Sequence, residues 1–448
     1  MQTTSNMDST KCIYLDYNGT TPIHPKVYQA MIPYLTNHFG NPSSSHAYGQ
    51  IPKEAVSKAR KSISSLLGRD IPPECIIFTG CGSEADNLAI HLALQSKKLL
   101  HINDTTTTNN NNNHNHKSLP HIITSNVEHP AISECIKALE KRGIVNVTWV
   151  PVNEEGIVSV SDMMDAIERQ SKDVILVTLM LANNESGSLQ PVKEISKYCQ
   201  ERNILFHTDA AQAVGKVSIS LNDDNDDDDN DNVNNVGGIG NVDMLTIVGH
   251  KFGAPKGIAC LYIKPNCFTG IADQMEPMSM IYGGGQEFGK RAGTENVPYI
   301  VGLGTAADIL MEKKKNDEYQ WQRNAQWMET MRSRMKERFI NALGDDIVRD
   351  NGPKNPLKRL PNTLSVGFQS VDAATILQNI QKKVACSAGS ACHASGGQLS
   401  PVLKAMNVPL EYARGTLRLS VGPSTTEEDI DEASNIIIEE VKAQLGIK

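Results

Sequence analysis

The sequence predicts an α/β fold in which a mostly parallel central sheet is joined to a second, smaller α+β domain. Short apolar runs alternate with amphipathic helical segments through the first 300 residues. This succession favours a parallel sheet, because each helix returns the chain to the same edge. From about residue 310 the pattern changes to one long amphipathic helix followed by a strand. We therefore expect a large domain over 20–300 and a small domain built from 1–19 and 301–448.

The elements of the large domain are predicted in chain order. A helix is expected over 51–67, where apolar side chains recur at i and i+4, and it ends at Gly68. Strands are predicted after it at 76–79, 121–125, 147–152, 174–182, 204–208, 244–248 and 257–263. Several of these runs are apolar without interruption, which is typical of strands that helices cover on both faces.

The small domain has three predicted elements. Its long helix carries a stripe of large apolar side chains: Trp321, Met328, Met331, Met335, Phe339 and Leu343. A strand is predicted over 362–368, and the last helix begins at Glu427, where Thr426 and Asp429 form a capping pattern. Because helix and strand do not alternate regularly here, this part is predicted to be α+β rather than α/β.

The composition is that of an ordinary globular protein. The chain has 448 residues, of which 39% are hydrophobic and 21% are charged. No apolar run approaches the ~20 residues of a membrane span. Its beginning carries no secretory or mitochondrial targeting pattern, and its nine cysteines include no Cys-x-x-Cys pair. We therefore expect free thiols in a reducing compartment, a cytoplasmic location, no membrane partner and no metal site.

Two low-complexity tracts interrupt the large domain. The tract over 104–117 is rich in Thr and Asn, and the tract over 222–238 is rich in Asp and Asn. Because both lack the apolar residues of a packed core, they are predicted to be disordered surface insertions rather than metal-binding or docking segments. The second tract carries seven of the aspartates behind the net charge of −8. The rest of the chain is near neutral without a basic stripe, so we expect no nucleic-acid partner.

Lys251 is the most informative residue, because it follows the apolar run at 244–248. A buried strand that delivers a lysine to a pocket desolvates it partly, so its pKa falls and its amine can react with an aldehyde cofactor. Asp209 ends the strand before it, and pyridoxal phosphate needs such a carboxylate to keep its ring nitrogen protonated. The pair favours a pyridoxal-phosphate enzyme, although a lysine after a strand is by itself more often a surface residue.

Three other strand ends carry polar residues. Gly82 and Ser83 open a helix, which suits a phosphate at the helix N-terminus but also a plain strand–helix turn. His129 can stack on a pyridine ring or serve as a structural histidine. Asn184 ends the most apolar strand and can reach a ring oxygen of the cofactor. Because ligands bind at the carboxyl ends of the strands in such sheets, the five strand ends together predict one site.

Two features of the small domain complete the predicted site. Cys392 lies in a stretch of small residues without apolar periodicity, so we expect an exposed loop thiol that can act as a nucleophile rather than a buried structural cysteine. Arg418 lies in the alternating run 416–420, and its guanidinium can hold an α-carboxylate bidentately. We therefore expect an amino-acid substrate.

With these residues in hand, the chain resembles the class-V aminotransferase family, in its cysteine desulfurase and selenocysteine lyase branch. The resemblance runs from Tyr14 to the last helix, apart from the two tracts. It rests on the motifs Gly40-Asn-Pro-Ser-Ser, Val127-Glu-His129, Asn183-Asn-Glu, His207-Thr-Asp209-Ala-Ala-Gln212, Gly249-His-Lys251, Gly283-Gly-Gly-Gln-Glu, Gly293-Thr294-Glu-Asn, Ala391-Cys392-His and Leu417-Arg418. It implies the aspartate-aminotransferase-like fold of pyridoxal-phosphate-dependent transferases, and a homodimer with one cofactor per subunit near the interface.

The resemblance also implies a role for each matching residue. The residues implied to bind pyridoxal phosphate are Lys251 (covalent attachment), Asp209 (ring nitrogen), Gln212 and Asn184 (ring oxygen), His129 (stacking on the ring), and Gly82, Ser83, His250 and the partner subunit's Thr294 (phosphate). The residues implied to act on the substrate are Arg418 and Asn184, which bind it, and Cys392, Lys251 and His129, which are catalytic. The family usually has Thr at the position of Ser83, whose hydroxyl can still donate to a phosphate.

Within the branch, the residues around Cys392 favour selenocysteine over cysteine as the substrate. Ala391-Cys392-His is similar to the selenocysteine lyases, whereas desulfurases for iron–sulfur assembly typically read Ser-Ser-Gly-Ser-Ala-Cys-Thr-Ser at this loop. The residues at 181–184 and 246–252 look like those lyases too. We therefore expect a lyase that converts L-selenocysteine to L-alanine and reduced selenium through a selenium-loaded Cys392.

The alternative is a cysteine desulfurase that releases sulfur from L-cysteine as a persulfide for iron–sulfur cluster or thiol-modification pathways. Either enzyme would pass its selenium or sulfur to an acceptor protein. A scaffold without catalysis is disfavoured, because such a protein is expected to have lost Lys251 or Cys392, and both are present.

Overall fold

The computed structural model describes residues 12–106, 118–170, 172–221, 238–268, 279–314, 317–388 and 399–447. Of α3 (Gly82–Thr106), residues 97–106 are described in their backbone only. The predicted insertions at 104–117 and 222–238 fall almost entirely outside the described residues. Cys392 also lies outside them.

The strands are β1 (Ile13–Tyr14), β2 (Ile76–Thr79), β3 (His121–Ser125), β4 (Asn146–Val150), β5 (Val174–Thr178), β6 (Leu205–Asp209), β7 (Met244–Val248), β8 (Ala259–Ile263), β9 (Val348–Asp350), β10 (Thr363–Phe368), β11 (Val384–Ala385), β12 (Ser387–Ala388) and β13 (Thr416–Ser420). The helices besides α3 are α1 (Pro25–Thr36), α2 (Ala47–Leu67), α4 (Pro130–Lys141), α5 (Val160–Arg169), α6 (Val192–Gln200), α7 (Val297–Leu310), α8 (Gln320–Leu343), α9 (Ala373–Ile380), α10 (Pro401–Ala405), α11 (Leu410–Ala413) and α12 (Glu427–Leu445).

The central sheet has seven strands in the order β2-β8-β7-β6-β5-β3-β4. β8 runs antiparallel to both of its neighbours, and every other neighbouring pair is parallel. Side chains alternate across the sheet, so that Ile76 and Phe78 pack in one apolar core and Ile77 packs in another. Both faces are therefore covered, which explains the continuous apolar runs. The predicted mostly parallel α/β sheet is confirmed.

A second core lies around the antiparallel sheet β12-β13-β10-β9. α8 buries five residues of its predicted stripe against this sheet and α12: Met328, Met331, Met335, Phe339 and Leu343. The ring of Phe339 meets that of Phe368 edge-on at 5.3 Å. At the start of α12, the Thr426 hydroxyl accepts the Asp429 N–H and the Asp429 carboxylate accepts the Thr426 N–H, both at 3.1 Å. The predicted capping pattern is confirmed.

Several predicted element boundaries differ from the structure. α3 runs to Thr106, three residues into the region assigned to the first insertion. β5 ends at Thr178 rather than at residue 182, although the Leu181 N–H still reaches the Asp209 carbonyl at 2.9 Å. β8 begins after Gly257, whose φ of +89° is not a strand conformation.

α7 crosses the predicted domain boundary at residue 300. Its Ile300, Leu303 and Leu310 are buried in the core of the central sheet, whereas Ile13 and Leu15 pack in the second core. The division of the chain into two domains stays a prediction. In the part of the chain that the structure describes, no helix has both the length and the apolar character needed to cross a membrane.

Candidate active site

The carboxyl ends of the parallel strands surround a cavity of about 240 Å³, which we call the strand-end cavity. Eight residues that the sequence predicts for the site line it: Gly82, Ser83, His129, Asn184, Asp209, Gln212, His250 and Lys251. Its other lining residues are Cys81, Asp86, Met180, Ala182, Ala211 and Val248. The structure therefore brings together the five strand ends singled out in the sequence. Thr294 and Arg418 do not line this cavity, and Cys392 lies outside the described residues.

Lys251 follows β7 in a single tight helical turn, Gly249–Lys251. Its Nζ donates to the carbonyls of Asn18 at 2.7 Å and Gly19 at 2.9 Å. Burial and then the positive charge of Arg418 lower the pKa of Lys251 to about 8, while Asp209 opposes this shift. This shift increases the share of neutral amine near physiological pH, which is the form that a lysine nucleophile requires.

The cavity has an acidic side formed by two buried carboxyl groups. The Asp209 Oδ1 accepts the Ala211 N–H at 2.8 Å, and burial raises the pKa of Asp209 against the effects of that bond, His129 and Lys251. Burial and the nearby Asp209 raise the pKa of Asp86 well above its usual range. Two such groups side by side favour a ligand that brings a positive charge, because the charge would stabilise their ionised forms.

His129 caps the N-terminus of α4, where its Nδ1 accepts the Ala131 N–H at 3.1 Å. Burial lowers the pKa of His129, an effect that Asp209 opposes and Lys251 reinforces. With Nδ1 acting as an acceptor, a neutral ring carries its proton on Nε2. The site therefore presents a flat, neutral imidazole whose orientation is set by the helix that it caps.

The opposite side of the cavity is suited to an anion. α3 begins there at Gly82, and a Cβ on this residue would lie 2.6 Å from Val248 Cγ2, so only glycine permits this close approach. Free backbone N–H groups and the positive end of the helix dipole favour a phosphate at such a position, with the Ser83 hydroxyl beside them. His250 Nδ1 lies 3.1 Å from the Thr20 hydroxyl, and burial lowers the pKa of His250 to about 4.

An unsatisfied acceptor tests whether the cavity fits pyridoxal phosphate. Gln212 Nε2 donates to the Asn18 carbonyl at 3.0 Å, but its Oε1 is buried without a hydrogen-bond partner. Buried polar atoms seldom stay unpaired unless a ligand completes them. A pyridine ring that offers a protonated nitrogen to Asp209, a ring hydroxyl to Gln212 Oε1, a phosphate to the start of α3 and an aldehyde to Lys251 matches each side of the cavity. The residues present fit this cofactor.

Arg418 lies on β13, close enough to lower the pKa of Lys251. Its Nη2 donates to Asp16 at 3.0 Å, and its Nε is buried without a partner. In the antiparallel pairing of β12 with β13, Arg418 lies opposite Ser387. Ser387 is one residue before the end of the described chain that precedes the segment 389–398. Beyond that segment, the Ser400 hydroxyl donates at 2.6 Å to Glu185, the neighbour of Asn184. Both described ends of the segment that contains Cys392 are therefore anchored close to the cavity.

Sequence reasoning missed several residues of the site. The Asn18 carbonyl accepts hydrogen bonds from both Lys251 and Gln212, and the sequence analysis assigns Asn18 no role. Asp86 gave a signal, because an acid stands there next to Ala85 and Leu88, two apolar residues of α3 that are buried. Lys216 gave none. It is buried, its Nζ donates to the Gln212 carbonyl at 3.0 Å, and burial lowers its pKa to about 7.

Comparisons with known proteins identify the family. The family model for class-V aminotransferases matches residues 13–433. A cysteine desulfurase IscS of Clostridium botulinum is 38% identical over 435 residues, which are 96% of this chain and 95% of that relative. A cysteine desulfurase of Trichormus azollae is 38% identical over 432 residues, 96% of this chain and 93% of that relative.

Two solved structures are similar over nearly the whole chain. A NifS-like protein superposes with a TM-score of 0.76 at 29% identity, covering 97% of this chain and 100% of its own. A structure described as SspA in complex with cysteine gives a TM-score of 0.69 at 30% identity, covering 92% of this chain and 99% of its own. The chain therefore belongs to the class-V aminotransferase family, among the proteins similar to cysteine desulfurases, and it shares their fold and their dependence on pyridoxal phosphate.

Proposed function

We propose that this protein is a cysteine desulfurase, which releases L-alanine from L-cysteine and keeps the sulfur as a persulfide on Cys392. The observation that carries the proposal is the convergence of an amine, two buried acids and a helix start suited to a phosphate on one cavity. Its substrate is argued from similarity. Relatives 38% identical over almost the whole chain are named cysteine desulfurases, and a similar structure is described as holding cysteine.

Pyridoxal phosphate supplies an electron sink that loosens the bonds at Cα and Cβ of a bound amino acid. The chain's own residues hold and tune it. Lys251 would attach it and its amine would carry a proton at Cα, Asp209 would keep its ring nitrogen protonated, and His129 would lie against its ring. The residues proposed to hold its oxygen atoms are Gln212 and Asn184 at the ring, and Gly82, Ser83, His250 and the partner subunit's Thr294 at the phosphate.

The substrate would meet residues from both cores of the chain. Arg418 is proposed to bind the α-carboxylate through its fork of N–H donors, one of which is buried and unpaired, with Asn184 beside it. The Cys392 thiolate then attacks the substrate sulfur. The new S–S bond forms as the Cβ–S bond breaks, and the electron pair of that bond takes up a proton at Cβ. Alanine is the reduced product and the Cys392 persulfide is the oxidised one.

A homodimer is part of the proposal. Around α1 and the start of α2, large apolar side chains are exposed, among them Phe39 at 71% and Tyr48 at 63%. Their rings contact one another with centroids 5.7 Å apart. Exposed apolar clusters of this kind are typical of protein interfaces. Thr294 is exposed and away from its own cavity, in keeping with a role in the neighbouring subunit. A sulfur-acceptor protein and a cytoplasmic location complete the proposal.

Selenocysteine is the second candidate substrate. The residues around Cys392 favour it, but the relatives reported above bear the name cysteine desulfurase. The comparisons therefore support the alternative stated from the sequence better than the selenocysteine lyase. A selenol ionises at neutral pH more readily than a thiol, so an enzyme that requires the anion can prefer selenium, whereas size differs too little to discriminate.

The test is the release of alanine from L-cysteine and L-selenocysteine, measured side by side under reducing conditions. We expect steady turnover of cysteine and a persulfide on Cys392, detected by mass spectrometry of the trapped enzyme. Turnover of selenocysteine with no release from cysteine would replace the proposal by the selenocysteine lyase. Release from neither amino acid would refute both.

Replacement of Asp209 by alanine is expected to lower the rate of alanine release by roughly 10²–10³-fold, the usual effect of losing one electrostatic stabiliser. The carboxylate keeps the cofactor nitrogen protonated, and without it the electron sink weakens. Glu154, an exposed acid outside the cavity, provides the control, and its alanine variant should keep the normal rate. Near-normal turnover of Asp209→Ala with cofactor bound would assign the role to Asp86.

A further inference from the structure

The loop over residues 283–295, which begins with three glycines and ends at Glu295, is held in an unusual conformation. Two of its residues that are not glycine, Glu287 and Phe288, have left-handed φ values of 50° and 57°. A backbone conformation of this kind is costly, so it is kept only where surrounding contacts hold it in place, and it is common at functional sites. We call this segment the 283–295 loop.

A buried ion pair fixes the middle of the 283–295 loop. Both carboxylate oxygens of Glu287 accept hydrogen bonds from the Arg60 guanidinium of α2, each at 2.7 Å. The same carboxylate accepts the N–H of Phe78 in β2 at 2.8 Å. The guanidinium also donates a hydrogen bond to the Ile76 carbonyl, and it lies 5.2 Å from the ring centre of Phe288. A bidentate pair of this kind, nearly excluded from water, sets both distance and orientation.

A second ion pair fixes the loop to the phosphate side of its own cavity. Arg291 Nε donates to Glu84 at 2.7 Å, and Glu84 in turn accepts the Gly80 N–H at 2.8 Å. Glu84 follows Ser83 in the first turn of α3. A carboxylate near a phosphate would repel it, and the ion pair with Arg291 reduces that repulsion.

Several side chains in and next to the loop are exposed, although Ala292 is buried. Tyr282, just before it, and Phe288 are exposed, and so is Thr294. The Gln286 side chain closes the loop by accepting the Gly293 N–H at 3.0 Å. Thr294 therefore stands on a backbone that is tied to α2, β2 and the start of α3, while its own side chain has no place in the cavity of its subunit.

We propose that the 283–295 loop is a rigid connection between the two cofactor sites of the dimer. Arg60 and Glu287 are positioning residues that hold Thr294 at the phosphate of the neighbouring subunit. Arg291 ties the same loop to the phosphate site of its own subunit. This inference rests on the proposed homodimer and on the proposed role of Thr294, and it adds the residues that set that role.

Mixed dimers with a single intact Lys251 test the connection. In the first arrangement, one subunit carries both Lys251→Ala and Glu287→Gln, and its partner is unchanged. The intact site then receives Thr294 from the altered loop. In the second, one subunit carries Lys251→Ala alone and the other carries Glu287→Gln alone, so the intact site receives Thr294 from an unaltered loop. Both dimers contain the same two substitutions, which makes each the stability control of the other.

The measurement is the affinity for pyridoxal phosphate, followed by the absorbance of cofactor bound covalently to the intact Lys251. We expect the first arrangement to bind about tenfold or more weakly than the second, the effect of losing one hydrogen bond to a charged group. Should Glu287→Gln prevent assembly, Gln286→Ala loosens the same loop and takes its place.

Equal affinities in the two arrangements, or a weaker second arrangement, would overturn the connection. The proposed function fails separately. If the protein sediments as a monomer, the proposed homodimer is wrong. If wild-type enzyme releases no alanine, the proposed desulfurase activity is wrong, but the difference in cofactor affinity between the two mixed dimers can still be measured.

Discussion

Replacement of Lys251 by alanine is expected to lower the rate of alanine release by roughly 10²–10⁴-fold or more, the contribution of a positioned proton carrier together with the loss of covalent attachment. After borohydride reduction, wild-type enzyme should carry the cofactor on Lys251, and the variant should carry none. Peptide mass spectrometry locates the attachment, and an assay of alanine measures the rate.

The structure supplies a sharp control for this experiment. Lys216 is the competing amine, because it is buried nearby and burial lowers its pKa to about 7. Lys256 is exposed a few residues after Lys251, so Lys256→Ala should keep both the attachment and the rate. Reduced cofactor found on Lys216 in the wild-type enzyme would contradict the assignment of Lys251.

The pH dependence of attachment follows from the lowered pKa of Lys251. The amine reacts in its neutral form, which is present above its pKa of about 8 and is lost as the pH falls below it. The rate at which cofactor-free enzyme captures pyridoxal phosphate should therefore rise with pH and level off above about 8. An exposed lysine would not level off until the pH passed its ordinary pKa of ~10.4.

Replacement of Cys392 by serine is expected to remove most of the turnover, on the order of 10²-fold or more, as for other covalent nucleophiles. A hydroxyl cannot accept the substrate sulfur as a persulfide, so the Cβ–S bond has no acceptor for its sulfur. The variant should still bind the cofactor on Lys251, because none of the residues that line the strand-end cavity is changed. Absorbance of bound cofactor and release of alanine separate the two effects.

Two other thiols serve as matched controls. Cys386 lies six residues before Cys392, and burial raises its pKa to about 12, so it stays a thiol at neutral pH. Cys81 is exposed and lines the strand-end cavity. Cys12 is exposed and does not line that cavity, so the variants Cys386→Ser and Cys12→Ser should both keep turnover. A persulfide trapped on Cys81, with a fully active Cys392→Ser variant, would refute the covalent role of Cys392.

Much of the fold could be read from residue patterns because burial along a strand or helix is a local property. The run at 244–248 is apolar throughout because both faces of β7 are covered, and the structure has a strand over Met244–Val248. The stripe of α8 recurs at helical spacing because one face packs on a sheet. Errors fell at ends such as residue 182, because residues 179–182 stay apolar and buried after the pairing of β5 with β3 ends at Thr178.

The site could be predicted in part for a topological reason. Parallel strands finish at the same edge, so polar residues that follow several apolar runs meet there, whatever the length of the helices between them. That rule predicts one site for Ser83, His129, Asn184, Asp209 and Lys251, and all five line one cavity.

Contacts between distant segments depended on the tertiary structure. Lys251 is held by the carbonyl of Asn18, 233 residues away, and Arg418 by Asp16, 402 residues away. Lys216 shows no pattern that distinguishes it from a surface lysine. Periodicity reports only whether a residue is buried, whereas the partner of a buried charge is decided by how the two cores pack. The chain's apolar pattern thus determines its strands and their common edge, and packing determines which charges meet there.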